Sequence, residues 1–198
     1  MSKYQKRSPV TRAAQGDIYR NVLTPYSAMP VNGESDQELE ITEIEYTYAV
    51  VLSQECDLEQ DFTNREKVQE KQDKFLPSIL FAPAYLSEML REGTHLGKIG
   101  QKMESLNSAR WKIVEKNDNL RYHFLKKKPN FGVPDLVIDF KHYFTISRDF
   151  FYHRILNDHH YVASLDFLFR EDLSNRFSHY LSRIGLPSIE EPTKQSIK

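Results

Sequence analysis

A single cysteine, Cys56, stands in a chain of 198 residues. That excludes an internal disulfide and any zinc site built from several cysteines, and it fits a reducing compartment. Net charge is nearly absent too, since 27 Lys and Arg face 28 Asp and Glu, for a formal −1. The global basic field that drives non-specific nucleic-acid binding is therefore missing, although local basic patches remain. No run of 18 apolar residues occurs, so no membrane span is expected. The segment Met1 to Arg12 is polar and basic with no apolar core. It argues against a signal peptide and for a cytoplasmic protein. His153, His159 and His160 cluster in sequence without the i,i+4 spacing of a helical metal pair, so neither metal nor cofactor is expected.

What is present is an ordinary supply of core-forming residues, 39% hydrophobic, with twelve Phe and eleven Tyr. The length suits one domain with a real core. We place that domain at 15–187, between a flexible N-terminus at 1–14 and a flexible tail at 188–198. Asp61 to Lys74 is dense in charge and poor in apolar residues, and reads as a solvated insert or frayed helix.

Alternation sets the strands. Gly16 to Val22 reads as a turn feeding a first strand, and Thr24 to Gln37, with Pro25, Pro30 and Gly33, as a loop. Glu40 to Leu52 alternates and then turns wholly apolar at Ala49-Val50-Val51-Leu52, which predicts a strand buried on both faces at its end. Leu76 to Ala82, Arg121 to Leu125, Leu136 to Phe140, Tyr143 to Ile146 and Tyr161 to Leu165 are further strands. The fourth and third of these could be one long bent strand. Helical spacing marks Tyr85 to Arg91, Leu96 to Glu115 and Arg148 to Arg154. The clearest helix is Phe167 to Ile184, with Asp166 as N-cap and Gly185 and Pro187 as its stop. The sum is an α+β protein, best served by a small, strongly bent barrel with a helical insert and a long C-terminal helix.

Two segments resemble known families. Gly16-Asp17-Ile18-Tyr19, followed roughly thirty residues later by Ala49-Val50-Val51-Leu52-Ser53, resembles the opening of the MazF/PemK growth-inhibitor toxins. The resemblance covers 16–54 and implies an SH3-like, MazF-like β-barrel, a homodimer and endoribonuclease activity. The family's usual Arg-Pro before the second apolar strand is replaced here by Tyr46-Thr47-Tyr48. Neither its catalytic Arg nor its later Ser or Thr can be placed by motif. Ser53-Gln54-Glu55-Cys56-Asp57-Leu58, Arg121-Tyr122-His123, Val137-Ile138-Asp139 and Arg176-Phe177 through Pro187 are together similar to a group of uncharacterised bacterial proteins that brings no activity with it.

Chemistry has few candidate seats. Arg121, His123 and Asp139 form the best acid–base trio: alternation puts Arg121 and His123 on one face, and Asp139 on a neighbouring strand could orient the imidazole. A structural ion pair beside a half-exposed histidine is the competing reading. Gln54 and Asp57 present directional hydrogen bonds at a strand end and could fix a ligand, or could simply satisfy loop amides. Asp57 works against a reactive Cys56 thiolate. Arg176, His179 and Arg183 make a basic stripe that could contact phosphates or an acidic partner, or pair with Asp172 on a solvated face. Lys126-Lys127-Lys128 is the strongest local positive charge. Two functions follow. One is a non-catalytic regulatory or defence-associated module whose degenerate barrel binds a protein partner, such as a transcription or defence factor. The other is a toxin-like ribonuclease or RNA-binding protein, with Tyr122 stacking bases.

Overall fold

The computed structural model describes residues 3–7, 10–28, 40–65, 67, 71–156 and 160–183. It is an α+β fold built on one antiparallel sheet of eight strands. In chain order the elements are β1 (Tyr4–Gln5), β2 (Asp17–Ala28), β3 (Glu40–Val51), α1 (Glu55–Arg65), β4 (Ser78–Leu86), α2 (Ser87–Glu92) and α3 (Ser108–Glu115). There follow β5 (Tyr122–Leu125), β6 (Leu136–Asp139), β7 (Phe144–Ser147), α4 (Arg148–Phe150) with a wide turn Phe151–Ile155, β8 (Tyr161–Leu165) and α5 (Phe167–Leu181). The strand order is β1-β8-β2-β3-β4-β6-β5, with β7 also on β4.

β6 and β7 run one after the other along β4. Ala84 pairs with Ile138, and Phe81 with Phe144. Three steps along β4 thus match six along its partner, and the surplus is taken up by the 3₁₀ turn Phe140–His142. Asp139 starts that turn by accepting a hydrogen bond from the Lys141 amide. β6 and β7 are therefore two strands, and the bend between them is a turn capped by a carboxylate.

Strand alternation divides the core between two faces. Ile18, Val50, Ala82, Ala84 and Ile138 pack beneath α5, which contributes Leu173, Phe177 and Tyr180. Each buried Val, Ile, Leu or Phe side chain among them contributes roughly 1.5–3 kcal/mol. Tyr19, Ala49, Val51, Ile79 and Phe81 face the other way, against Leu58 of α1 and Phe151 and Ile155. α2 and α3 cover the far end of that second face, with Leu90, Trp111 and Val114 on Val137. The fully apolar end of β3 is buried on both sides, as expected. Asp166 caps α5 by accepting from the Phe167 amide.

Three segments differ from the sequence-based expectation. β2 continues through Pro25 to Ala28 rather than turning into a loop at Thr24, because Pro25 sits on a strand whose outer edge needs no amide there. The first part of the charged insert is helix α1, held by Leu58 and by buried Asp61, whose carboxylate takes Arg65, Arg148 and the Leu76 amide. The single helix expected over 96–115 is broken: a short turn ends at Gly100 in the left-handed region, and a new helix starts where Asn107 caps Arg110. The rest of the loop expected over 24–37 beyond residue 28, the helix stop at Gly185 and Pro187, and the tail at 188–198 lie outside the described residues. No helix among the described residues is long and apolar enough to cross a membrane.

The sheet is not closed. It is nonetheless strongly curled. Asn21, at φ 54°, adopts a left-handed conformation that asparagine tolerates. Beyond it the β2–β3 hairpin swings over, so that Tyr46 stacks on Phe144 of β7 at 4.6 Å.

Candidate functional site

The centre of charge chemistry is Asp139. Arg121 binds it with both prongs, Nε to Oδ1 at 2.8 Å and a terminal nitrogen to Oδ2 at 2.6 Å. His142 Nδ1 lies 2.9 Å from the same Oδ2. Burial pushes the Asp139 carboxyl up, but the Arg121 hydrogen bonds and His142 outweigh burial and hold it at about 2. Arg121 also lies over the Tyr122 ring at 4.9 Å.

His123 is not part of this group. Register explains why: Tyr122 stands opposite Asp139, and His123 opposite Ile138. Residues opposite each other share a face, so His123 points toward α5 while Asp139 points away from it. His123 is fully buried, and neither ring nitrogen has a hydrogen-bond partner among the described residues. Burial, with Lys3 and Arg176 nearby, drives its pKa well below the usual range and keeps the ring neutral. The imidazole that does meet Asp139 is His142. Its signal in the sequence is the i,i+3 spacing Asp139-Phe140-Lys141-His142, which one turn of 3₁₀ helix brings onto one side.

Next to this cluster lie two more polar side chains. Tyr85 and His95 meet with ring centroids 4.7 Å apart, and Tyr85 also meets the edge of His142 at 6.5 Å. The Tyr85 hydroxyl is buried and unpartnered among the described residues, and burial raises its pKa. Among the described residues neither His95 nitrogen completes a hydrogen bond, although the Met89 carbonyl favours its charged form. Burial wins and lowers its pKa. Neither residue stands in a motif, so nothing in the chain singled them out. Among the described residues, no group of three His, Cys, Asp or Glu is placed to hold a metal.

The strand-end segment after β3 is a latch whose working residue is Glu55. Its carboxylate takes Arg12 at 2.7 Å and the Gln15 amide at 2.8 Å, with Arg170 at 3.5 Å. Ser53 accepts from the Leu80 amide. Gln54 reaches Ser174 of α5 at 3.3 Å on the surface, and Asp57 is exposed. Cys56 is exposed in the first turn of α1, its sulfur 3.7 Å from Asp57.

Arg176 is committed to backbone, donating to the carbonyls of Asn117, Asn119 and Tyr122. Arg183 lies over Tyr180 at 3.9 Å and donates to its carbonyl. The two arginines therefore organise the chain around them, and the stripe expected with His179 is not an array of unengaged cations. His160 contacts the Arg20 carbonyl, His153 is on the surface, and His159 lies outside the described residues.

One surface feature was not anticipated. A cleft of about 240 Å³ lies between Leu23, Thr24 and Pro25 of β2 and Thr145, Ile146 and Ser147 of β7, with Glu43 at its rim and Phe150 on its wall. A smaller depression continues it along β2 to Asn21 and Arg154, sharing Leu23 and Phe150. No family model matches the chain, and no curated protein matches it in sequence.

Proposed function

We propose that this is a non-catalytic regulatory or defence-associated bacterial protein, whose unclosed, degenerate MazF-like barrel binds a protein partner such as a transcription or defence factor. The observation that supports this reading is the separation of His123 from Asp139 onto opposite faces of the sheet. A ribonuclease working without metal needs a base and a cation poised together over the phosphate. Here the expected base is sealed in the core, and Arg121 and Arg176 are bonded within the protein. The test is incubation of purified protein with long single-stranded RNA in EDTA. Intact RNA and no salt-sensitive RNA binding are expected, and cleavage that is lost on His142→Ala overturns the proposal.

A second reading keeps RNA as the substrate and moves the base. His142 Nδ1 lies 2.9 Å from Asp139, close but not aligned as a hydrogen bond, with Arg121 beside it as a cation. That pair has the parts of a general base, though the carboxylate is already shared with two partners. The same RNA experiment decides between the two.

A further inference from the structure

We propose that the groove between β2 and β7 receives an extended peptide segment of a partner protein as an added strand, with an acidic residue at its Arg154 end and a basic residue at its Glu43 end. This rests on the protein-binding reading and names where and what kind of partner it takes.

The argument starts from backbone. β8 pairs with β2 only as far as Tyr19, and the Arg20 amide then closes on the His160 carbonyl. Past that point, among the described strands, β2 pairs only with β3. Among the described strands β7 likewise pairs only with β4. In the linear strand order β2 and β7 are separated by β3 and β4, yet both line one cleft because the hairpin curls over. The cleft is thus the seam of the curled sheet, flanked by two strands with open edges. Open edges carry unpaired amides and carbonyls that an extended chain can satisfy, with β2 offering only a carbonyl at Pro25, and strand addition is a standard mode of peptide capture.

The walls say more about the guest. Leu23, Ile146 and Phe150 are apolar, and Phe150 is 38% exposed, a large ring left on the surface at the centre of the groove. An inward-facing apolar side chain of the peptide fits there. Charge then sets polarity. Arg154 lines the end beside Asn21, and Glu43 lines the end beside Pro25, its pairing partner. Four strand steps separate Asn21 from Pro25, about 13 Å at the usual rise. The complementary charges on the guest should therefore be about four residues apart.

The experiment is selection from two display libraries against the full chain: random nonapeptides, and folded fragments of the host's own proteins. Enriched nonapeptides are expected to carry acidic and basic residues about four positions apart around an apolar centre. Their affinity should fall at least tenfold with Phe150→Glu and with a central proline, which removes a strand amide. Glu43→Lys should shift the selected charge at that end from basic to acidic. These residues are at the surface, and unchanged circular dichroism and Tm confirm the variants' fold. No enriched nonapeptides, or peptides indifferent to Phe150→Glu, overturn the groove. If folded fragments then bind parent and variant alike, the protein-binding reading stands without the groove. If neither library is enriched, both fall.

Discussion

Asp139 faces Tyr122 across the β5–β6 pair, and its carboxylate is closed by Arg121 in a two-pronged bond on the side of the sheet away from α5. The carboxylate is fully buried and the guanidinium one-fifth exposed. Removing one partner of such a pair leaves an uncompensated charge, so Arg121→Ala should cost about 3–5 kcal/mol. Because the folded carboxyl sits at about 2, below its usual 3.8, the contribution is present above pH 3.8 and is lost as pH falls through 2. Urea titrations of parent and variant should therefore converge at low pH.

Asp17 has the opposite sign. It is buried among Arg7, Ser164, Tyr19 and the Ala14 amide, yet burial outweighs these partners and lifts its pKa from 3.8 to about 6. A carboxyl raised on folding contributes stability below pH 3.8 that is lost as pH rises through 6. The stability difference between parent and Asp17→Asn should shrink from pH 4 to pH 7. A difference that grows would mean that Arg7 prevails over burial.

His123→Phe should stabilise the protein. The substitution removes two unpartnered ring nitrogens from the core, a gain of about 1–2 kcal/mol. The folded pKa lies below the usual 6.5, so the native histidine's neutral packing is favourable above that pH and becomes a liability as pH falls below it. The gain should grow as pH falls below 6.5, read by thermal melts across pH.

Glu55 and Cys56 should separate cleanly. Glu55→Gln weakens the tie to Arg12, Gln15 and Arg170 and should cost about 1–2 kcal/mol. Cys56→Ser, on the exposed side of α1, should stay within about 0.5 kcal/mol. Chemical denaturation of both variants checks this.

Gly93→Ala should be among the most damaging small substitutions. Gly93 closes α2 at φ 77°, and a Cβ there would meet the Met103 carbonyl oxygen at 2.2 Å. Left-handed strain alone costs about 1 kcal/mol, and the contact with backbone adds to it. Tm should fall, and amide exchange should quicken first in 94–107, the segment that seats His95.

The strands were largely legible because alternation reports which face a residue takes. β3, β5 and β8, and the capped helix α5, stand where their patterns put them. Helix α1 was hidden because one of its inward residues is Asp61, a charge whose partners, Arg148 and the Leu76 amide, come from far along the chain. The site was half legible for a related reason. Arg121 and Asp139 could be paired by type, but which histidine joins them depends on register, and a shift of one residue reverses the face. Register in the β5–β6 pair goes with the connection between those strands, closed by the Lys128–Val133 bridge, which alternation does not report. Glu55 stood in view within its motif, but its three partners come from the N-terminal segment and α5.

The tie between Asp17 and Ser164 spans 147 positions. β2 cannot gain its second neighbour, nor Asp17 the Ser164 hydroxyl, until β8 has left the ribosome. During synthesis β2 and β3 can form a hairpin, but the edge that β8 will cover waits until Tyr161–Leu165 is made. Closing so long a loop delays the reward for ordering β2, so this part of the fold should complete only after β8 has been made. A nascent chain arrested before Tyr161 should therefore remain sensitive to protease in β2, whereas a chain in which β8 and α5 have emerged should be protected there.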